Sequence, residues 1–233
     1  MTPPPTPVSA IVPVLNGEQY LEECLRSAVD QSLPPFEVIV VDDGSTDGSA
    51  EIAESFGDPV RCIRQANAGV AAARNRGLTV ATGEFVGFLD HDDLWPQGKL
   101  KSQVAVLRAS PEVGIVSGRT RVFGGAVPGR DRSTTGDREV PNAIQLGCRL
   151  IRRAVFEEIG PFNENVGTAD DLEWLTRARD LGVPSMSQDI VTLLYRWHEE
   201  NTSHDIDGLG SAAVDALKLS MDRRRGMSGS ERD

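Results

Sequence analysis

Between Val8 and Leu89 the chain alternates between two hydrophobic periods. Short apolar runs at Val8–Val14 (VSAIVPV), Phe36–Val41 (FEVIVV), Val60–Ile63 and Phe85–Leu89 are bounded by Gly, Pro, Asn or Asp. Such runs predict buried strands. Pro13 cannot donate a ladder bond and marks the exit of the first strand. Between the runs the period lengthens. Leu21, Leu25, Ala28 and Val29 fall at i, i+4, i+7 and i+8, an amphipathic helix ending near Gln31 before Pro34-Pro35. Asn16 and Gln19 have the spacing of a helix cap ahead of it. Ile52, Ala53 and Phe56 mark a second helix. Asn67-Ala68-Gly69 leads into a third, VAAARNRGL. Strand and helix in turn predict βαβ units and a parallel sheet with helices on both faces.

Past Leu89 the pattern is less regular. Pro96 sits in the first turn of a helix with Leu100, Val104 and Leu107 inward, and Val113–Ser117 follows as a strand. Residues 118–142 are rich in Gly, Arg, Thr and Asp and read as a long loop or hairpin. Cys148–Arg152 is a strand candidate, Ala154–Ile159 a short helix ended by Gly160-Pro161, and Asp170–Leu181 a helix with Leu172, Leu175 and Ala178 inward. Ile190–Tyr195 is a strand. Leu209–Met221 is a final amphipathic helix, followed by a frayed tail. Residues 1–7, MTPPPTP, form a disordered lead-in.

Composition narrows the class. The chain has 233 residues and a net charge of −11. A basic surface for nucleic acid is not expected. The 3 cysteines, Cys24, Cys62 and Cys148, are widely spaced without a Cys-x-x-Cys pair, which suits thiols of a cytoplasmic protein rather than a disulfide frame. No apolar run reaches the roughly 18 residues of a membrane span. The lead-in lacks the basic and apolar regions of a signal peptide.

The candidate chemistry lies in FVGFLDHDDLW, Phe85–Trp95, where a buried strand runs into Asp90, His91, Asp92 and Asp93. Carboxyl ends of strands in open α/β sheets are where ligands bind. Three carboxylates there repel unless a cation, solvent or a proton relieves them. A divalent metal bridging to phosphate oxygens is one reading, and a strand-to-helix turn with Asp caps is the other. Asp42-Asp43 ends a second strand and would face the same crevice, with a carboxylate suited to a nucleobase N–H. Arg74 could add positive charge for the same anion. Asp170-Asp171 opens a helix and His198 follows a strand; both also fit ordinary capping or surface roles. Asp43, Ser45, Asp47, Gly48 and Glu54 match positions 1, 3, 5, 6 and 12 of a calcium-binding EF-hand loop, but a strand precedes them where an EF-hand needs a helix. Dinucleotide, P-loop and nucleophile-elbow motifs are absent.

In order, VSAIVPVLNGEQYLEECLRSAVDQS, VIVVDDGSTDGSAEIAE, NAGVAAARNRGL, GEFVGFLDHDDLW, LIRRAVFEEIGPFNE, ADDLEWLTRARDLG and LLYRWHEENTS resemble family 2 glycosyltransferases of the GT-A fold over residues 8–204. The resemblance implies a Rossmann-like, mostly parallel central sheet with helices on both faces. It implies a nucleotide-sugar-binding half at 8–117, an acceptor-side half of the same domain at 118–208, and a C-terminal helix and tail at 209–233. Pro13, Val14, Glu18, Asp43, Gly69 and Arg74 match positions beside the nucleotide. Asp90-His91-Asp92 matches the D-x-D motif, with Asp92 ligating Mn²⁺ or Mg²⁺ and Asp90 meeting the ribose or the metal's water shell. Asp93 serves the turn into the next helix. His198 matches the histidine that contacts the metal or diphosphate. Asp171 matches the general base, with Asp170 in place of the family's Glu.

The implied reaction is an inverting, metal-dependent, non-processive transfer from a nucleotide-diphosphate sugar, expected to be a UDP-sugar, to an acceptor. The acceptor is open among a saccharide, a lipid carrier, a peptide and a small metabolite, and the oligomeric state is open. Two alternatives stand beside it. A sugar-nucleotide-forming nucleotidyltransferase would share the sheet and metal, but its Gly-rich basic N-terminal loop is missing. A non-catalytic nucleotide-sugar-binding subunit would not need Asp171.

Overall fold

The computed structural model describes residues 7–124, 138–140, 145–198, 201 and 206–230. The expected lead-in at 1–6, most of the 118–142 loop and the last three residues of the tail lie outside them.

The strands are β1 (Val8–Val14), β2 (Glu37–Asp42), β3 (Val60–Arg64), β4 (Phe85–Phe88), β5 (Ile115–Gly124), β6 (Arg138–Val140), β7 (Arg149–Arg152) and β8 (Ser185–Trp197). The helices are α1 (Leu21–Val29), α2 (Ser49–Ser55), α3 (Val70–Val80), α4 (Lys99–Ala109), α5 (Arg153–Ile159), α6 (Asp170–Asp180) and α7 (Ile206–Ser230). One sheet of eight strands runs β3-β2-β1-β4-β7-β5-β6, with β8 on the other edge of β5. Among the described strands, β1–β4 are mutually parallel, β7 is antiparallel to β4 and β5, and β8 runs parallel to β5.

Alternation along the central strands makes two cores. Val8, Ala10, Val12, Val38, Val40 and Phe85 face α1, α2 and α4, while Ile11, Ile39, Val41, Val86 and Phe88 face α3, α5 and α6. The α3 face is made of small residues, Ala73 and Gly77. A Cβ on Gly77 would come within 2.4 Å of Ile11 Cγ2, so glycine lets α3 lie close on β1. Under the second face, Phe88, Phe156, Phe162 and Trp174 pack together; the Phe156 and Trp174 rings stack at 4.5 Å. Trp174 Nε1–H donates to Gly160 O at 3.0 Å, which pins α6 beneath the sheet.

Several expectations are corrected. Asn16 does not cap α1, whose N-cap residue Tyr20 makes no side-chain cap bond. Asn16 instead has φ 51° and accepts from Thr46 N at 2.8 Å. Phe36 precedes β2 and is exposed. Of the two readings of 118–142 the hairpin holds: residues 118–124 continue β5, which pairs antiparallel with β6, and Gly118 and Thr120 are inward positions of β5, where a Cβ at 118 would strike Thr192 at 2.4 Å. Trp174 and Ala178 occupy the inner face of α6, with Leu172 and Leu175 only half-buried. The arginine tail is helical: in α7, Arg223 pairs with Glu173 at 2.8 Å and Arg224 with Asp180 at 2.8 Å, so acidic residues of α6 draw in what was expected to fray. Among the described residues no helix is long and apolar enough to cross a membrane.

Candidate active site

The carboxyl ends of β1, β2 and β4 open onto one crevice. Pro13 and Val14 close β1, both buried, and Val14 O accepts from Asp43 N at 2.8 Å. The β4 pairing with β1 ends at Ile11, so the missing N–H of Pro13 falls beyond it. The β1–α1 and β2–α2 loops then bond to each other. Asn16 N donates to Ser45 Oγ, Gly17 N to Ser49 Oγ and Glu18 N to Asp47 Oδ2, while Gly48 N returns a bond to Glu18 Oε2 at 2.8 Å. Glu18 therefore stands on the rim with one oxygen engaged.

Asp43 is buried. Its Oδ1 accepts from Gln65 Nε2 at 2.8 Å and Ala68 N at 2.9 Å, and its Oδ2 from Gly69 N at 2.8 Å. Gly69, at φ 92°, makes the turn that a side chain would strain and launches α3. Asp43 and Gly69 thus form one rigid corner at the end of β2. The EF-hand positions do not converge: Asp47 caps Ser49 N and Glu54 pairs with Arg64.

The stretch after β4 divides its labour. Asp90 is the most solvent-open of its carboxylates, and its carbonyl accepts from Asp93 N at 3.0 Å. His91 is half-buried against Gly17, where a Cβ would lie 2.3 Å from His91 Cδ2 and 2.7 Å from Val14 Cγ2. Asp92 Oδ2 lies 2.9 Å from His198 Nε2, and the His198 ring packs on Tyr20 at 4.9 Å. Asp93 is 1% exposed and serves β8 rather than the turn into α4: its Oδ1 accepts from Arg196 N at 2.8 Å. Burial, then the neighbouring charges of Asp92 and Asp90, hold its carboxyl well above the usual range.

Arg74 sits beneath the crevice, 5% exposed. Its Nη2 donates to Asp90 Oδ1 at 2.8 Å and its Nη1 to Asp170 Oδ2 at 2.6 Å. Next in line, Asp171 lies in the first turn of α6, where the helix N-terminus favours negative charge. Although its side chain keeps some solvent contact, desolvation pushes its carboxyl up to about 6 against the pull of Arg74.

Three residues not singled out from sequence complete the arrangement. Arg196 lies between the Tyr20 and Phe123 rings, donates through Nε to Asp92 O at 2.8 Å, and reaches Glu23 with Nη2 at 2.5 Å. Asn201 Oδ1 accepts from His198 N at 2.5 Å. Tyr20 backs both His198 and Arg196. The YRWH run held the signal for Arg196, masked because a cation before a histidine reads as surface.

Asp92 Oδ2 and His198 Nε2 are two atoms of ligating type side by side, and among the described residues no group of three or more His, Cys, Asp or Glu side chains is assembled for a metal. The donor set fits a hard divalent cation that takes one or two carboxylates and completes its shell with phosphate oxygens and water.

The family profile for glycosyl transferase family 2 matches residues 9–160. An uncharacterized glycosyltransferase of Rickettsia conorii is 31% identical over 222 residues, 86% of this chain and 36% of that protein. The chain spans about a third of the length of the first curated relatives it matches. S. aureus TarS 1-349 in complex with UDP-GlcNAc superposes with a TM-score of 0.71 at 25% identity, over 93% of this chain and 66% of that one. The mannosyltransferase PcManGT from Pyrobaculum calidifontis, in complex with GDP-Man and Mn²⁺, gives 0.70 at 26% identity, over 92% and 66%. The strand order, the paired loops at the carboxyl ends and these likenesses agree on the GT-A fold, and the chain belongs to glycosyl transferase family 2.

Proposed function

We propose that this chain carries out an inverting, non-processive sugar transfer from a nucleotide-diphosphate sugar to an acceptor nucleophile. The observation that carries it is the meeting of Asp92 and His198, 106 positions apart, at the end of β4, with Asp171 tied to the same strand end through Asp170, Arg74 and Asp90. A metal-and-diphosphate locus and a base with a matched proton affinity are the two parts that a single displacement at an anomeric carbon needs.

The corner of Asp43, Gly69, Pro13 and Val14 receives the base, with Glu18 on the rim. A UDP-sugar is the donor put forward, since TarS was solved with UDP-GlcNAc; PcManGT was solved with GDP-Man, so the base is the first thing to vary in a test. Asp92 and His198 would hold Mn²⁺ or Mg²⁺, which would supply positive charge beside the leaving diphosphate. Asp90 would meet the donor's ribose or the water shell of that cation. Asp171, ionised above about pH 6, takes the acceptor proton as the nucleophile attacks the face opposite the leaving group. The domain division follows the same reading: residues 8–117 serve the donor and 118–208 the acceptor, with the boundary falling inside β5. Cys24, Cys62 and Cys148 as thiols suit a cytoplasmic setting.

A panel of nucleotide sugars with and without Mn²⁺ tests this. Release of nucleoside diphosphate that needs both the metal and Asp171 supports the proposal. Formation of pyrophosphate from a sugar phosphate and a nucleoside triphosphate would replace it with a nucleotidyltransferase.

A further inference from the structure

Arg74, the first of the two arginines in NAGVAAARNRGL, was expected to offer its charge to the diphosphate, yet it spends both terminal nitrogens elsewhere. Arg74 Nη1 holds Asp170, itself 1% exposed, at 2.6 Å, and Nη2 holds Asp90 at 2.8 Å. Its guanidinium also lies 5.9 Å from the centre of the Phe162 ring. The next residue continues the clamp. Asn75 Oδ1 accepts from Phe162 N at 2.9 Å and its Nδ2 donates to Phe162 O at 3.0 Å and to Glu164 at 2.7 Å. Successive residues of α3 thus grip the segment leading into α6 and the first residue of α6.

We propose that Arg74 is a positioning residue: held between Asp90 and Asp170, it fixes the first turn of α6 against the end of β4 and sets how readily Asp171 takes a proton. The inference rests on the reading of Asp171 as the base. Electrostatics give it a sign. Burial disfavours the ionised Asp171, the cation of Arg74 favours it, and Asp170 and Asp90 disfavour it. Among the described residues these are the charges that face it: Arg74 from α3, Asp90 from the segment after β4, and Asp170 from its own helix. The 3₁₀ turn Gly167–Ala169 brings no charge, and from α7 Arg223 is paired with Glu173 further along α6. Two neighbours of Asp171 therefore pull in opposite directions, and a merely structural arginine would not reproduce that opposition.

The test is a carboxyl NMR titration of the full chain carrying ¹³C-labelled aspartate, with Asp171 assigned by its loss in Asp171→Asn. Neither donor nor metal is added. Arg74→Gln is expected to move the Asp171 midpoint up by about one pH unit or more, and Asp170→Asn to move it down. Arg74→Lys, which keeps the charge but not the fork, should fall between Arg74→Gln and the wild type. If Arg74→Gln fails to fold by circular dichroism, Arg74→Lys decides the matter: an Asp171 midpoint raised above the wild type supports the inference and an unchanged one overturns it. Midpoints that stay within a few tenths of the wild type in the folded variants overturn the inference. In transfer assays the acid limb of the pH–rate profile should move with the NMR midpoint, in kcat rather than in donor KM. Shifted midpoints in a protein that transfers no sugar would leave the bridge standing and remove Asp171 as base.

Discussion

His198 Nε2 stands 2.9 Å from Asp92 Oδ2, and each side chain is 15% exposed. The contact links the segments that follow β4 and β8 and is sheltered from solvent. Under the proposed function, this imidazole and carboxylate are the pair that meets the donor's diphosphate.

Asp92→Ala and His198→Asn should each weaken metal-dependent donor binding by about tenfold or more, as loss of a ligand or its close supporter does. Metal-free binding should change less. Thermal shift with nucleotide sugar, with and without Mn²⁺, reads the difference, because binding to the native state raises its stability with occupancy. Equal shifts in wild type and variants would remove both residues from the metal site.

Asp171→Asn should lower kcat by roughly 10² to 10⁴-fold while donor affinity stays near that of the wild type. The raised carboxyl fixes the direction with pH: wild-type turnover falls as pH drops through about 6, where the base takes a proton before it can act. Stability moves the other way. A carboxyl raised from 3.8 to about 6 on folding is best tolerated below its unfolded value and opposes folding once ionised, so Asp171→Asn should be more stable than the wild type at neutral pH by roughly 1–3 kcal/mol. Denaturant melts at pH 4 and pH 8 check it, with the gain confined to pH 8.

Glu37, at the opposite end of the sheet, gives a second pH signature. Burial would raise its carboxyl, but bonds from Ser9 Oγ and from Thr82 N and Oγ1, with the charge of Arg61, hold it below the usual range. A depressed carboxyl contributes stability above its unfolded value and loses it as pH falls through the folded one. Glu37→Ala should cost about 2–3 kcal/mol at pH 7, and the gap should narrow under acid conditions. A gap independent of pH would assign the loss to packing alone.

Lys99 is 1% exposed, donates to Gln103 Oε1 and Arg149 O, and lies 4.7 Å from the centre of the Trp95 ring. Burial pulls its ammonium down to about 7. The unfolded chain then binds more protons than the native one from about pH 7 to 10.5, so the wild type gains stability relative to Lys99→Met across that range, on the order of 3 kcal/mol. Paired melts at pH 7 and pH 9.5 read the slope.

The parallel half of the fold was legible because Ile11, Ile39, Val41 and Phe88 carry their burial in their own hydrophobicity. In the later half most elements were legible but their full extent was not: β5, β8 and α7 all run further than the apolar pattern indicates. Thr120 and Gly118 are inward positions of β5, but neither is apolar enough to show the alternation. The arginines of α7 are helical because Glu173 and Asp180 meet them, a relation invisible until α6 and α7 are side by side. At the site, single residues were legible and their couplings were not. Arg74 reads as a cation for a ligand; only the fold shows the two carboxylates that claim it. Asp93 reads as a turn residue, yet β8 returns from about 100 positions away to use it.

Gly17 and His91 occupy one volume. A methyl at 17 would fall inside contact distance of the imidazole and of Val14, with a Cβ 2.3 Å from His91 Cδ2. These positions therefore cannot drift independently over evolutionary time. In related chains, a residue larger than glycine at 17 should accompany a slimmer one at 91, so the middle letter of Asp-x-Asp carries a steric history written in the first loop.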